Sequence, residues 1–320
     1  LVADPISEHG VTLLNEHPDI TADFIPDLGS QPEKLLEIIG DYDALIVRSQ
    51  TTPNAEVIAR GARLQAIGRA GVGVDNIDRE AASAHGVIVM NTPTGNTVST
   101  AEHAFALMLA TARNIAPAHA EVLQGNFKAA RKAFAGIELN GKRLAVIGMG
   151  RIGSEFVRRA QGFNMKVVAF DPFLTQARAD ELKIELAESP DAALTGADVV
   201  TLHVPLTDDT QHIINSERLT LMNKGALVVN CARGGLIDEE ALKAAIDNGH
   251  IAGCAAHTIS AIVGGGGAIA FIGAVFCCCA APYVFTVLHA RYFAGVTAHT
   301  IATIIFGGGA IGISVAVCGN

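Results

Sequence analysis

Over the first 90 positions, apolar residues cluster in short runs separated by stretches where they recur every three or four residues. The runs Leu1–Ala3, Ile20–Ile25, Ala44–Val47, Leu64–Ile67 and Val87–Met90 read as strands. Between them, Pro32–Ile39 and Ala55–Gly61 have the spacing of amphipathic helices. This alternation predicts a parallel sheet covered by helices. A Pro/Gly/Asn-rich turn at Asn91–Asn96 closes the series. One long helical pattern then runs from about Ser99 to Leu123, with Glu102 at capping-box distance from Ser99. The alternation restarts with strands at Arg143–Ile147, Lys166–Phe170, Val199–Leu202, Leu227–Asn230 and Ile251–Ala255. The expected architecture is α/β: two doubly wound, Rossmann-like parallel-sheet domains joined by long helices, residues 1–92 and 93–284.

Composition sharpens this picture in one place. The 320-residue chain has a formal net charge of −9, which argues against a general nucleic-acid binder but leaves room for a local cationic pocket. Charge is unevenly spread: from Thr258 to Asn320 the only charged side chain is Arg291. Leu1-Val2-Ala3-Asp4 already reads as a strand, so no leader is expected there. None of the six cysteines has a paired Cys-x-x-Cys spacing, which predicts reduced thiols, no metal and a cytoplasmic protein.

The strongest local motif is Gly148-Met149-Gly150-Arg151-Ile152-Gly153, placed between an apolar strand and a helix. In such a turn the first glycine permits the tight bend and the second lets backbone approach a pyrophosphate. The third packs helix on strand, and the helix start offers N–H groups. The next strand ends at Asp171-Pro172, where a carboxylate can hold ribose hydroxyls and repel a 2′-phosphate, so NAD is expected over NADP. A tight βα turn capped by Asp171 would use the same residues without a ligand, but the strand–turn–helix–strand context favours the dinucleotide.

Further segments complete a pattern: Arg69-Ala70-Gly71-Val72-Gly73-Val74-Asp75-Asn76-Ile77-Asp78, Asn91-Thr92-Pro93, Gly95 to His103, and Asn230-Cys231-Ala232-Arg233-Gly234-Gly235. Together with the glycine motif, and over residues 1–256, the chain resembles the D-2-hydroxyacid dehydrogenase family. The resemblance implies that a chain return at about 285–320 completes the first domain as the substrate domain. It also implies a small anionic 2-hydroxy acid as substrate, a cleft between the domains, and a homodimer or homotetramer. Arg233 would hold the substrate carboxylate and polarise the reacting carbonyl, which suits a planar guanidinium. Cys231 and Ala232 would line the nicotinamide end, and His203, Val204, Pro205 and Thr210 would lie along the cofactor. An isolated histidine at a strand end is more often structural than catalytic, so His203 is assigned to packing.

Arg48 and Ser49 end one apolar run and Arg69 follows another, so strand-end placement puts them on one rim as a cationic pocket for a phosphorylated acid. A set of solvated arginines would be the plainer account. The backbone around Val72 and Gly73 forms a plausible nest for the substrate carboxylate, and the family also uses the position of Asn96. Arg131 and Lys132 resemble a basic pair that reaches a partner's substrate.

After Gly249-His250-Ile251-Ala252-Gly253 the resemblance stops. His257 stands where the family has a cofactor-binding Asp, Ile262 where it has a catalytic Glu, and Ala280 near its catalytic His; His289 is the nearest histidine. The uncharged tail fits three accounts. It could form membrane spans, but these would be broken by Gly264–Gly267 and Gly307–Gly309, so no membrane association is expected. It could belong to a catalytically silent NAD-binding regulator of the same fold. Or its letters do not record the natural side chains, which the abruptness of the change favours.

Overall fold

The computed structural model describes residues 1–256 and, beyond them, the backbone of four short strands, Phe271–Ala274, Phe285–Leu288, Ile305–Phe306 and Gly309–Ala310. The chain divides into two compact units, Leu1–Asn96 and one from Thr97 onward. The chain return at about 285–320, His257, Ile262, Ala280 and His289 lie outside the residues whose side chains are described.

In the first unit, strands β1 (Ala44–Val47), β2 (Ala66–Arg69) and β3 (Ile88–Asn91) form a parallel sheet in that order. Helices α1 (Glu8–Glu16), α2 (Pro32–Ile38), α3 (Ala55–Arg60) and α4 (Arg79–Ala84) connect the layers. The expected strands Leu1–Ala3 and Ile20–Ile25 shrink to parallel bridges, with Val2 between Phe24 and Ile46. Leu1, Val2 and Ala3 are nonetheless buried, so hydrophobicity was read correctly while ladder length was not. Naming the five extended segments in chain order, their spatial order is 2-1-3-4-5, with the reversal between Val2–Ala3 and β1. Strands β2 and β3 begin later than the apolar runs predict, because Leu64 and Val87 pack the core before pairing begins.

The second unit opens with α5 (Thr97–Ala112), α6 (Ile115–Leu123) and α7 (Phe127–Ala133). The single helix expected from Ser99 to Leu123 is therefore two. Asn114 adopts a left-handed φ of 49°, which a right-handed helix cannot pass through, and Pro117 then sits in the first turn of α6. Ser99 lies inside α5 rather than ahead of its first turn, and Glu102 pairs with Arg159 at 2.9 Å.

Six parallel strands follow: β4 (Arg143–Ile147), β5 (Lys166–Phe170), β6 (Glu185–Leu186), β7 (Val199–Leu202), β8 (Ala226–Asn230) and β9 (Ile251–Ala256). Their order is β6-β5-β4-β7-β8-β9, reversing between β4 and β7. Strands β7 and β8 are buried along their whole length, as continuous apolar runs in a two-sided parallel sheet require. Alternate residues feed two cores. Leu144 and Val146 join Phe105, Met108 and Phe156, from α5 and α8 (Arg151–Gly162). Ala145 and Ile147 face Leu194, Leu219 and Leu242, supplied by α10 (Pro190–Leu194), α11 (Ser216–Leu221) and α12 (Glu239–Asp247); α9 (Gln176–Leu182) precedes β6.

Asp198 locks the amino edge of this sheet. It accepts hydrogen bonds from the Arg143 N–H at 2.9 Å and the Asn223 amide at 3.0 Å, with Lys142 3.6 Å away. Burial pushes its pKa up, but these donors and the Lys142 charge outweigh that and hold it below the ordinary carboxylate range. Folding thus favours the ionised form, a contribution present above the unfolded pKa and lost as pH falls through the folded one. Asp198→Asn is expected to cost about 1–2 kcal/mol in urea unfolding near pH 7. The difference from wild type should shrink when the titration is repeated near pH 3.

Candidate functional site

The glycine loop sits where the strand order of the second unit reverses. Gly148 follows β4 with φ +96°, and a Cβ there would come within 2.6 Å of the His203 carbonyl oxygen, just past β7. Gly153 is equally restricted, since a Cβ would overlap the Gly148 carbonyl oxygen. At Gly150 a Cβ would meet nothing within 4 Å. Two glycines are thus required by the fold, and the middle one borders open space. Gly150 is the N-cap of α8 and makes no side-chain cap, so Arg151, Ile152 and Gly153 begin the helix with N–H groups directed outward. These features fit a dinucleotide pyrophosphate: an open cradle, backbone donors and the positive end of a helix dipole.

Asp171 stands beside this loop, after β5. Its Oδ2 accepts from the Met149 N–H and its Oδ1 from the Phe173 N–H, both at 2.8 Å. The carboxylate thus fixes the glycine loop and remains half-exposed, with Pro172 exposed next to it. His203 packs on Phe156 (ring centroids 5.2 Å apart), and its Nε2 lies 3.0 Å from Thr201 Oγ1. Burial pushes its pKa down to about 4, so the ring is neutral near pH 7 and suited to packing. Beyond it, Val204 and exposed Pro205 lead to Thr210, whose hydroxyl donates to the Pro205 carbonyl at 2.7 Å and accepts from the Thr207 N–H at 2.8 Å. Thr210 shapes this loop from within.

At the end of β8, Asn230 is buried and closes the turn that carries Arg233. Its amide donates to the Arg233 carbonyl at 2.8 Å and its Oδ1 accepts from the Ala232 N–H at 3.1 Å. Arg233 itself is half-buried, with Nη1 donating to the Ala232 carbonyl at 2.8 Å. Cys231 is buried, and burial, with Cys231 and Glu239 nearby, raises the Cys254 thiol to about 12; Cys254 is an inert core residue.

In the first unit, Arg48 and Ser49 leave β1 and Arg69 ends β2. Asn76 ties them together, donating to the Arg48 carbonyl at 2.7 Å and the Thr51 carbonyl at 2.6 Å while accepting from Arg69 Nε at 3.0 Å. Val72 and Gly73 follow in the same loop, which Asn91 anchors by donating to the Val72 carbonyl at 2.6 Å. Asn96, half-buried, is the last residue of this unit. Arg131 and Lys132 lie exposed in the last turn of α7. Sequence reasoning missed Asp4, Asn76 and Asn230 as organisers. Asp4 and Asn230 are polar residues at or just after an extended segment, a readable signal, whereas Asn76 lies in the loop seven residues past β2, where no strand end marks it. Among the described residues no helix is long and apolar enough to cross a membrane.

The glycines separate two effects experimentally. Gly153→Ala should lower Tm by several degrees and abolish NAD binding, because the methyl displaces the Gly148 carbonyl. Gly150→Ala should leave Tm within about 2 °C yet weaken NAD binding about tenfold or more, since its methyl enters the open cradle. Thermal melts with and without NAD check both.

Comparison with known proteins agrees with this geometry. Residues 105–260 match the model of the D-isomer specific 2-hydroxyacid dehydrogenase, NAD binding domain. The D-3-phosphoglycerate dehydrogenase of Methanocaldococcus jannaschii is 47% identical over 251 residues, 78% of this chain and 47% of that protein. The Bacillus subtilis protein of the same name is 43% identical over 255 residues, 80% of this chain and 47% of its own length. The chain thus spans about half the length of these relatives. The crystal structure of D-lactate dehydrogenase from Aquifex aeolicus complexed with NAD and lactic acid superposes with a TM-score of 0.71 at 30% identity, covering 81% of this chain and 77% of that one. A glyoxylate reductase from Paecilomyes thermophila gives 0.69 at 30% identity over 79% of both chains. With its glycine loop, the carboxylate beside that loop and the arginine past β8 set in that fold, the chain belongs to the D-isomer specific 2-hydroxyacid dehydrogenase family.

Proposed function

We propose that this protein oxidises 3-phospho-D-glycerate to 3-phosphohydroxypyruvate with NAD, the opening step of the phosphorylated route to serine, as a cytoplasmic homodimer or homotetramer. The observation that carries the reading is the pair of tethered arginines after β1 and β2, Arg48 and Arg69, linked through Asn76. An unphosphorylated acid needs one cationic partner for its carboxylate, and Arg233 on its Asn230-braced turn supplies it. Two further guanidiniums suit a second, dianionic group. The names of the M. jannaschii and B. subtilis relatives point the same way.

Bound NAD supplies the hydride acceptor, nicotinamide C4. Arg233 would hold the carboxylate and stabilise negative charge on the C2 oxygen. Arg48, Ser49 and Arg69 would hold the phosphate, the N–H groups around Val72 and Gly73 would join Arg233 at the carboxylate, and Asn96 would also contact the substrate. Gly148 to Gly153 and Asp171 would hold the pyrophosphate and ribose, and His203 to Pro205, Cys231 and Ala232 would line the nicotinamide side. The hydroxyl proton of C2 must pass to a base. His203 is unsuited to that task, since burial lowers its pKa to about 4, which makes it a weak base, and its ring is packed on Phe156.

Initial-rate measurement of NADH at 340 nm tests the proposal. 3-Phospho-D-glycerate should be preferred over D-lactate and D-glycerate; NAD binding without turnover of any of them identifies the silent regulator. Arg233→Gln and Arg233→Lys should each lower kcat/KM about 10²–10³-fold, because neither replaces a two-point guanidinium. Arg48→Gln should raise KM for the phosphorylated acid about tenfold while leaving the Kd for NAD unchanged.

A further inference from the structure

Asp4 is the most completely buried carboxylate among the described residues, and none of the roles above uses it. It stands at the carboxyl end of the Val2–Ala3 segment, where the first unit's strand order reverses against β1. Open α/β sheets bind ligands at the carboxyl ends of strands at such a reversal. Here the carboxylate faces inward. Oδ2 accepts from the N–H groups of Arg48 and, at 3.3 Å, Gln50; Oδ1 accepts from the Thr51 N–H at 3.1 Å and the Thr51 hydroxyl at 2.6 Å. Asp4 thereby collects the donors of the 48–51 loop, while Asn76 holds the carbonyls of Arg48 and Thr51 from the opposite polarity.

The loop is held through every kind of backbone group it has. Exposed Ser49 lies at its centre. The Arg48 guanidinium is steadied by the Pro5 carbonyl at 3.2 Å, and Arg69 by Asn76 through Nε. Gly71 makes the second placement possible, since a Cβ there would overlap Arg69 Nη1. A buried carboxylate is costly unless saturated with donors, so this one is retained where its cost secures a backbone shape.

We propose that Asp4 and Asn76 are positioning residues that clamp the 48–51 loop into a preformed receptor for the phosphate of the substrate, and so set its KM. The role rests on the phosphorylated-acid reading above. Fixing cationic groups before binding removes the ordering cost that flexible arginines would carry.

Asp4→Asn, Asn76→Asp, Thr51→Val and Thr51→Ser are compared with wild type in the full chain. Asp4→Asn and Asn76→Asp should raise KM for 3-phospho-D-glycerate about tenfold or more while kcat falls less than threefold and NAD affinity stays unchanged. Thr51→Val should raise KM a few-fold and Thr51→Ser, which keeps the hydroxyl donor, should restore it. If Asp4→Asn does not fold, the threonine pair decides. Lower Tm with KM unchanged across these variants overturns the clamp and leaves Asp4 a fold residue. Should wild type bind NAD yet turn over no phosphoglycerate, the activity reading fails separately. Calorimetric titration with inorganic phosphate then reads the receptor. Weaker binding by Thr51→Val than by wild type and Thr51→Ser supports the clamp, and equal or undetectable binding in all three overturns it.

Discussion

Parallel strands can be joined only by crossovers of one hand, so a sheet that grows in both directions must send its connections to opposite faces from one point. At that point the carboxyl ends of two neighbouring strands are left uncovered. The glycine loop and the loop that Asp4 holds both lie at such points. In the second unit the point falls between β4 and β7, and in the first between the Val2–Ala3 segment and β1.

The two reversals are finished by opposite means. Between β4 and β7 the solution is the removal of side chains: Gly148 and Gly153 bring backbone against backbone, and Gly150 leaves space where a ligand's charge can meet helix N–H groups. Beside β1 the solution is a buried ion. Asp4 is fully desolvated and is stable there because backbone donors and the Thr51 hydroxyl replace its lost water. Glycine geometry tolerates little substitution but asks nothing of ionisation; a carboxylate hub imposes order on a loop that has no regular secondary structure.

Much of this was legible because two-sided burial demands unbroken apolar runs. Strands β1, β4, β5 and β7 begin and end where the runs do. The misreadings have identifiable causes. Apolar residues at 99–123 keep a helical period across Asn114, and periodicity carries no information about a single left-handed φ. Leu1–Ala3 looks like a strand because its residues are buried, whereas Ile20–Ile25 is apolar by letter yet largely exposed; Val2 bridges both Phe24 and Ile46. Glu102 satisfied a capping pattern by spacing, yet its partner is Arg159, 57 residues away, which spacing cannot reveal.

The sequence by itself determined the class of fold, the dinucleotide loop, the acidic residue that serves it and the arginines at the strand ends, because each depends on local backbone rules or on hydrophobic period. Only the tertiary structure decided what holds those arginines. Asp4 meets Thr51 and Asn76 meets Arg48 across separations of 47 and 28 residues, and Asn230 turns back on Arg233 only after β8 has ended. The first bond exists because the Val2–Ala3 segment lies beside β1 out of chain order, the second because β2 pairs with β1, and the third closes a local turn. Hydrogen-bond saturation of a buried group is a property of that folded neighbourhood, and no linear pattern encodes it.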